Sequence, residues 1–493
     1  MTGAHGTIET PVRVPSAGVL AVGHRRLLGG LAIAAVPVLY LLSVTWYQAV
    51  VYDDELAYTY VTWSVPLLGV GAAGVVSLVA LTLVRPVRWR RRGQVLVAAV
   101  LAVFLPAWFT VLHWGRGDET WATALICVPT TLFCVVMCRR VERSRRLPWA
   151  LVAVAFVWGM CVAIECARMT TMVVSDALTG LVTPGRPFVF VQALATGLNE
   201  EAVKAAGVLA VLFVFRHRVN GALGGLAIGS VVGAGFQFTE SAAYMLADET
   251  DVTIYQYWVR QYVALLSSHT VYTGIAGAAL GLAFQQRGVW RTAVCALSGY
   301  VAAVVAHAIW NIAGSTGLFW QPEGATTLVY VAMPLNSLIY HGPYFVLLAV
   351  LGIAALRFEV RGLMAELRNE ARTGLGAILP DEVDVLARAS ARFRTRWRLY
   401  RRRDYARYRH VRRLHAAQID LAFARWHRAR GDFGVDRDLE DRLRHRVHRI
   451  RRNEPLARLD PGQDAWRPEP SSGPEPEAEA TPSGSAVGEG HLS

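Results

Sequence analysis

The chain has 493 residues, 54% of them hydrophobic, and a formal net charge of +13 at pH 7. Its mean hydropathy of +0.33 and its long uncharged runs exclude an ordinary soluble globular protein. Most arginines lie in short loops beside apolar stretches or in the C-terminal third, which favours anionic lipid over nucleic acid as the partner of this charge. We therefore expect an all-α protein that crosses a membrane many times.

About ten apolar stretches are long enough to span a bilayer, for which a helix needs about 20 residues. They lie roughly at 27–50, 58–84, 94–114, 120–138, 148–174, 188–215, 221–247, 258–284, 292–314 and 326–356. Arginine-rich loops alternate with acidic loops, so the positive-inside rule predicts a multi-pass protein of the cell membrane with both termini in the cytoplasm. Pro334 and Pro343 suggest that the last stretch is a kinked helix or two shorter elements.

The composition divides the chain into four parts. Residues 1–24 are predicted to be a disordered cytoplasmic segment, and residues 25–356 the transmembrane domain, with its functional core at about 188–314. Residues 357–460 are rich in arginine and are predicted to form cytoplasmic helices that carry Phe393, Trp397, Tyr400, Tyr405, Tyr408, Leu414 and Trp426. Residues 461–493 contain too few apolar residues to offset the entropy of ordering, so we expect a disordered tail.

Four successive spans of the core contain ionisable or polar residues. The motifs are Glu200-Glu201-x-x-Lys204, Phe236-x-x-x-Glu240, His269, and His307-x-x-x-Asn311. A charged side chain at the bilayer centre costs about 2.5–3.5 kcal/mol on insertion scales, so several in neighbouring spans indicate a shared role. At 1.5 Å per residue, Glu200 lies about 18 Å and His269 about 17 Å below the outer ends of their predicted spans, and Glu240 and His307 about 10 Å. We therefore predict a common cavity open to the outside.

Spacing within the helices refines this prediction, because residues four apart lie on one helix face. Glu200 can pair with Lys204, and a structural ion pair is one interpretation of those two residues. Small residues repeat at the same interval in the next span and predict close helix packing; they are Gly221, Gly225, Gly229 and Gly233. Outside the motifs, Glu165 and Arg168 are predicted to form a local ion pair, and His341 to be a partner at a helix kink.

The order of the four motifs resembles the PrsW family of intramembrane proteases, which are relatives of the CAAX prenyl proteases. Where the CAAX branch typically has His at the end of the second motif, this chain has Glu240, which favours PrsW. The resemblance covers residues 188–314. It implies that Glu200 or Glu201 activates water, that Glu240 and His269 complete the site, and that His307 and Asn311 stabilise the oxyanion. It also implies a single-pass membrane protein as substrate, such as an anti-sigma factor, cleaved near the outer side of the membrane.

Several alternatives remain open from the sequence. Glu and His also ligate zinc, so metal-assisted hydrolysis stands beside the preferred chemistry, which requires no cofactor. The chain has no His-Glu-x-x-His motif, the most specific zinc signature. A proton-coupled transporter or a non-catalytic membrane scaffold would also place ionisable residues in spans.

Overall fold

The computed structural model describes residues 117–183, 185–215, 218–246, 250–430 and 437–452, together with a few positions between 29 and 43. All regular secondary structure in these residues is helical, as predicted. The spans predicted at 27–50, 58–84 and 94–114 lie wholly or largely outside the described residues. So do the predicted disordered segments at 1–24 and 461–493.

Within the described residues from 117 to 371, the apolar part of the chain folds into a bundle of eight helices. They are α1 (Gly117–Val141), α2 (Trp149–Leu181), α3 (Arg186–Phe215), α4 (Gly221–Tyr244), α5 (Thr250–Tyr257), α6 (His269–Ala283), α7 (Val289–Ser315) and α8 (Ala325–Ala371). Five of them, α1, α2, α4, α7 and α8, are long and apolar enough to cross a membrane. Helix α3 has 30 residues, but its centre carries Glu200, Glu201 and Lys204.

Helix α4 lies at the centre of the bundle, and 89% of its apolar window is buried. Glycines let the neighbouring backbones touch it on two sides. A Cβ atom at Gly229 would lie 2.2 Å from the Thr273 carbonyl oxygen of α6, and one at Gly235 would lie 2.1 Å from the Phe156 carbonyl oxygen of α2. The packing role predicted for the glycine stripe is therefore confirmed, and this contact fixes α6 against α4.

The prediction of one continuous span at 258–284 is wrong. A π-helical turn, Trp258–Val263, follows α5, the chain is non-helical at 264–268, and α6 begins at His269. The Ser268 hydroxyl donates to the Gln237 amide oxygen at 2.7 Å and lies 2.8 Å from the Ala264 carbonyl oxygen. Side-chain hydrogen bonds of this kind compete with the backbone hydrogen bonds of a helix. Irregular backbone at this depth is tolerated where it is buried in protein.

Helix α8 differs from its prediction in two ways. It runs unbroken for 47 residues through Pro343, so of the two predicted alternatives, a kinked helix or two shorter elements, the second is wrong. A proline removes one backbone hydrogen bond, a loss that packing and local adjustment can absorb in a membrane helix. The helix also continues to Ala371, past the domain boundary predicted at 356/357.

The arginine-rich region forms what we call the C-terminal module, which consists of the end of α8 and four further helices. These are α9 (Val383–Ala387), α10 (Ala389–Arg401), α11 (Tyr405–Ala429) and α12 (Arg437–Arg452). Its core joins Leu363 and Leu367 of α8 to Leu386, Phe423 and Trp426. Helices are therefore present in this region, and Trp426 belongs to its core.

Candidate active site

The Lys204 ammonium lies at the centre of the polar cluster. Its Nζ is 3.0 Å from Glu200 Oε2, 3.0 Å from Glu201 Oε1 and 2.9 Å from His269 Nδ1. Beneath it, the Phe236 ring centroid lies 3.5 Å away, a cation–π distance. Lys204 has no exposed surface, and a buried charge of this kind needs such partners. The predicted pairing of Glu200 with Lys204 is present, and the cluster also explains why a phenylalanine begins the second motif.

The two adjacent glutamates have different surroundings. Glu201 is fully buried; its Oε1 also contacts His307 Nδ1 at 3.2 Å, and its Oε2 accepts from the Thr273 hydroxyl at 3.0 Å. Glu200 retains 8% exposure and contacts Lys204 through Oε2 only. Within the described part of the chain, no hydrogen bond engages Glu200 Oε1. Glu200 is therefore the carboxylate available to a substrate or a water molecule.

Each of the two histidines is oriented by a carboxylate. His269 Nε2 lies 2.8 Å from Glu240 Oε2, and His307 Nδ1 lies 3.2 Å from Glu201 Oε1. Because the Lys204 ammonium can only donate, His269 Nδ1 must accept from it, and the His269 proton is assigned to Nε2, where it is donated to Glu240. The remaining nitrogen of His307, Nε2, lies 3.7 Å from Glu200 Oε2. His269 Nδ1 and His307 Nε2 therefore face the centre of the cluster.

Arg260 contacts the cluster but belongs to none of the four motifs. Its Nη1 lies 2.9 Å from Glu240 Oε2, and its guanidinium lies 3.6 Å from the centroid of the Tyr244 ring. Arg260 thus balances the charge of Glu240, while Glu240 holds His269. Arg260 lies in the predicted span 258–284, close to its start, and an ionisable residue in a span is the signal that could have identified it.

A second missed group supports His307 from the opposite side. The Tyr272 ring stacks on the His307 ring with centroids 5.6 Å apart, and the Tyr272 hydroxyl lies 2.6 Å from His341 Nδ1. His341 is fully buried and stacks on Trp310 at 4.0 Å. His341 is therefore part of the packing that holds the site, and not only a partner at a kink.

The structure brings five of the six predicted site residues together: Glu200, Glu201, Glu240, His269 and His307. Asn311, the sixth, is half-buried one turn beyond His307 on α7, and its side chain makes no hydrogen bond within the described residues. Away from the site, Arg168 and Glu165 form the predicted ion pair at 2.9 Å.

The donor set of the cluster fits a metal ion in kind and number. Glu200, His269 and His307 each offer one ligand atom, and these atoms lie within 4.8 Å of one another in a buried setting. Catalytic zinc commonly has three such protein ligands and a carboxylate behind its histidines, the place that Glu240 and Glu201 occupy here. The Lys204 ammonium, however, shares two of the three donor residues.

Comparison with known proteins adds one finding. The model of the PrsW family, described as intramembrane metalloproteases, matches residues 147–339. This range includes every residue of the polar cluster from Glu200 to His307. Searches of curated proteins and of solved structures found no match.

Proposed function

We propose that this membrane protein, whose residues 147–339 form a PrsW-type peptidase domain, hydrolyses a peptide bond in a membrane-anchored protein. The observation that carries the proposal is the convergence of Glu200, His269 and His307 from three helices, with ligand atoms within 4.8 Å of one another. Peptide hydrolysis requires an activated water molecule and a counterpart for the negative charge that develops on the carbonyl oxygen. The cluster contains groups suited to both tasks.

Glu200 is the general base in this mechanism. Its carboxylate takes a proton from water while the water oxygen attacks the carbonyl carbon, and it returns that proton to the leaving amine as the C–N bond breaks. Glu201 is less suited to this role, because Lys204, His307 and Thr273 already occupy its oxygens. Glu201 instead holds these partners in position.

The oxyanion is stabilised by donors on α7. Asn311 has an amide without a hydrogen-bond partner in the described chain, one turn beyond His307, and can donate it to the oxyanion. His307 is held by Glu201 at Nδ1, and its Nε2 can donate toward the same oxygen when the ring carries a proton on both nitrogens. The Lys204 ammonium keeps the two adjacent carboxylates compatible in a buried setting.

The family description makes a metal plausible at this site. Glu200, His269 and His307 would hold it, and the ion would supply Lewis-acid polarisation of the carbonyl oxygen or of water. In that form Glu240 and Glu201 orient the two imidazole rings from behind. Metal-dependent hydrolysis is thus a second version of the same activity at the same residues.

The substrate proposed is a single-pass membrane protein, of the anti-sigma-factor type, cut near the outer side of the membrane. The site lies inside the bundle, so the scissile bond of a substrate must reach the cluster between helices α3, α4, α6 and α7. The alternation of basic and acidic loops supports this orientation, with both termini in the cytoplasm.

A reconstituted cleavage assay tests the proposal. The full chain is placed in liposomes with a set of single-pass substrates labelled at each end, and the products are followed by gel and mass spectrometry. We expect cleavage by the native chain and a fall of about 10²–10⁴-fold in rate for Glu200→Gln, because the amide cannot accept the proton. Equal rates for the native chain and this variant would contradict the mechanism.

A further inference from the structure

We propose that the Lys204 ammonium and a divalent metal ion compete for the same donor atoms, so that Lys204 sets how tightly the site holds metal. This inference deepens the proposed function by assigning a regulatory residue to the same site. It concerns binding of the ion, which is measured separately from cleavage.

His269 has a single nitrogen that can take either cation. Its Nδ1 lies 2.9 Å from Lys204 Nζ, and its Nε2 lies 2.8 Å from Glu240 Oε2. A neutral imidazole has one lone pair, here on Nδ1, and that lone pair can accept an N–H or bind a metal but cannot do both. Metal binding at Nδ1 therefore requires the Lys204 ammonium to leave this histidine.

The same competition applies at Glu200. Its Oε2 lies 3.0 Å from Lys204 Nζ and 3.7 Å from His307 Nε2. A zinc ion about 2 Å from that oxygen would lie within about 5 Å of the ammonium. Two cations at that separation repel one another strongly in a site with little water. Lys204 thus opposes metal binding through both the shared atoms and its charge.

The carboxylates behind the two histidines are placed as they commonly are in metal sites. Glu240 contacts His269 Nε2, and Glu201 contacts His307 Nδ1. The other nitrogen of each ring, His269 Nδ1 or His307 Nε2, faces the centre of the cluster. The ammonium also keeps partners when it leaves His269 and Glu200, because Glu201 Oε1 at 3.0 Å and the Phe236 ring at 3.5 Å can retain it. Exchange between ammonium and metal therefore requires movement of a flexible side chain and no rearrangement of helices.

The test measures zinc binding to the full-length chain in nanodiscs by equilibrium dialysis and elemental analysis. We expect Lys204→Met to bind one zinc ion per chain at least about tenfold more tightly than the native chain, because it removes both the competing donor and the charge. Lys204→Gln, which keeps a polar side chain, is a second variant for the case in which Lys204→Met does not fold. Arg168→Met, which removes a cation outside the cluster, should leave zinc binding unchanged.

A double variant links the effect to this site. Adding His269→Gln to Lys204→Met should abolish the tight binding. Equal or weaker binding in both Lys204 variants, or tight binding that survives the loss of His269, would overturn the proposal. Cleavage plays no part in these readings, so a chain that binds zinc as expected but cuts nothing would contradict the proposed function alone.

Discussion

Single residues in the cluster are distinguished by how many partners they have. Glu200 and Glu201 are neighbours in sequence, yet Glu201 has three hydrogen-bond partners in the buried interior and Glu200 has one. A buried carboxylate with both oxygens hydrogen-bonded contributes mainly to stability. A carboxylate with one oxygen free can take a proton from water or a substrate. Stability and chemistry can therefore be separated by mutation at these two positions.

We predict that Glu201→Gln is mainly a stability defect. The amide places a donor or a weaker acceptor opposite Lys204 and His307, and breaking a buried ion pair typically costs about 3–5 kcal/mol. Thermal unfolding of the purified chain should show a clearly lower midpoint for Glu201→Gln than for Glu200→Gln. In Glu200→Gln, Lys204 still has the Glu201 carboxylate as its partner. Equal midpoints for the two variants would show that the difference in partners has no energetic consequence.

Much of the site could be predicted from the sequence because charged residues are costly in a membrane and therefore stand out in apolar spans. Glu200, Glu201, Glu240, His269 and His307 were found in this way. Arg260 was missed because it lies near the end of its predicted span, where an arginine can reach the interface and needs no buried partner. His341 was missed because nearby prolines offered a local explanation for a polar residue.

The apolar stretches of the sequence predicted most helix ends to within a few residues. Hydropathy records which residues avoid water, so it located α3, α4 and α7 well. It could not locate the break at 264–268, where the Ser268 hydroxyl bonds the Gln237 amide oxygen and the Ala264 carbonyl oxygen, because hydropathy does not record such local hydrogen bonds. The break matters for the site, since it makes His269 the first residue of α6 and not a residue in the middle of a span.

A glycine variant tests whether the contact of α4 with α6 positions His269. A Cβ atom at Gly233 would lie 2.2 Å from the His269 carbonyl oxygen, so Gly233→Ala must push α6 away. We expect cleavage to fall by about 10²-fold, because small displacements of a catalytic group have large kinetic effects. At Gly352 the nearest atom is a Leu226 side-chain carbon at 3.5 Å, so Gly352→Ala is a matched control that should retain activity. Similar activities for the two variants would contradict this positioning role.

The membrane bundle and the C-terminal module contact each other directly. Arg392 of α10 donates to the Arg143 carbonyl oxygen at 3.1 Å, just beyond the end of α1. Arg430 donates to the Gln285 carbonyl oxygen at 3.2 Å, just beyond the end of α6. The boundary predicted at residue 357 followed the change to charged composition. It falls within the continuous helix α8, whose Leu363 and Leu367 pack into the core of the module.

Helix α10 lies beside the loop that follows α1, and its exposed face is aromatic and basic. Phe393 and Trp397 are 59% and 47% exposed, and Trp397 stacks between Phe393 and Tyr400 with ring centroids 5.9 and 5.6 Å apart. Arg394 and Arg398 lie beside this row and are exposed. Aromatic rings favour the headgroup region, and each basic residue near an anionic surface contributes about 1 kcal/mol. We therefore propose that α10 lies against anionic lipid.

Hydrogen exchange of the full chain in nanodiscs tests whether α10 contacts lipid. Hydrogen exchange of residues 389–401 should be slower in anionic than in neutral lipid, and the difference should shrink at high salt, where the screening length falls from about 10 Å at 0.1 M to about 3 Å at 1 M. Replacing Arg394 and Arg398 with Gln should remove the lipid dependence, whereas replacing Arg446 and Arg449 on α12 should leave it intact. Exchange that is the same in both lipids would exclude the electrostatic contact. Cleavage should persist in the α10 variant, since Glu200, His269 and His307 all lie in the bundle and none lies in the module.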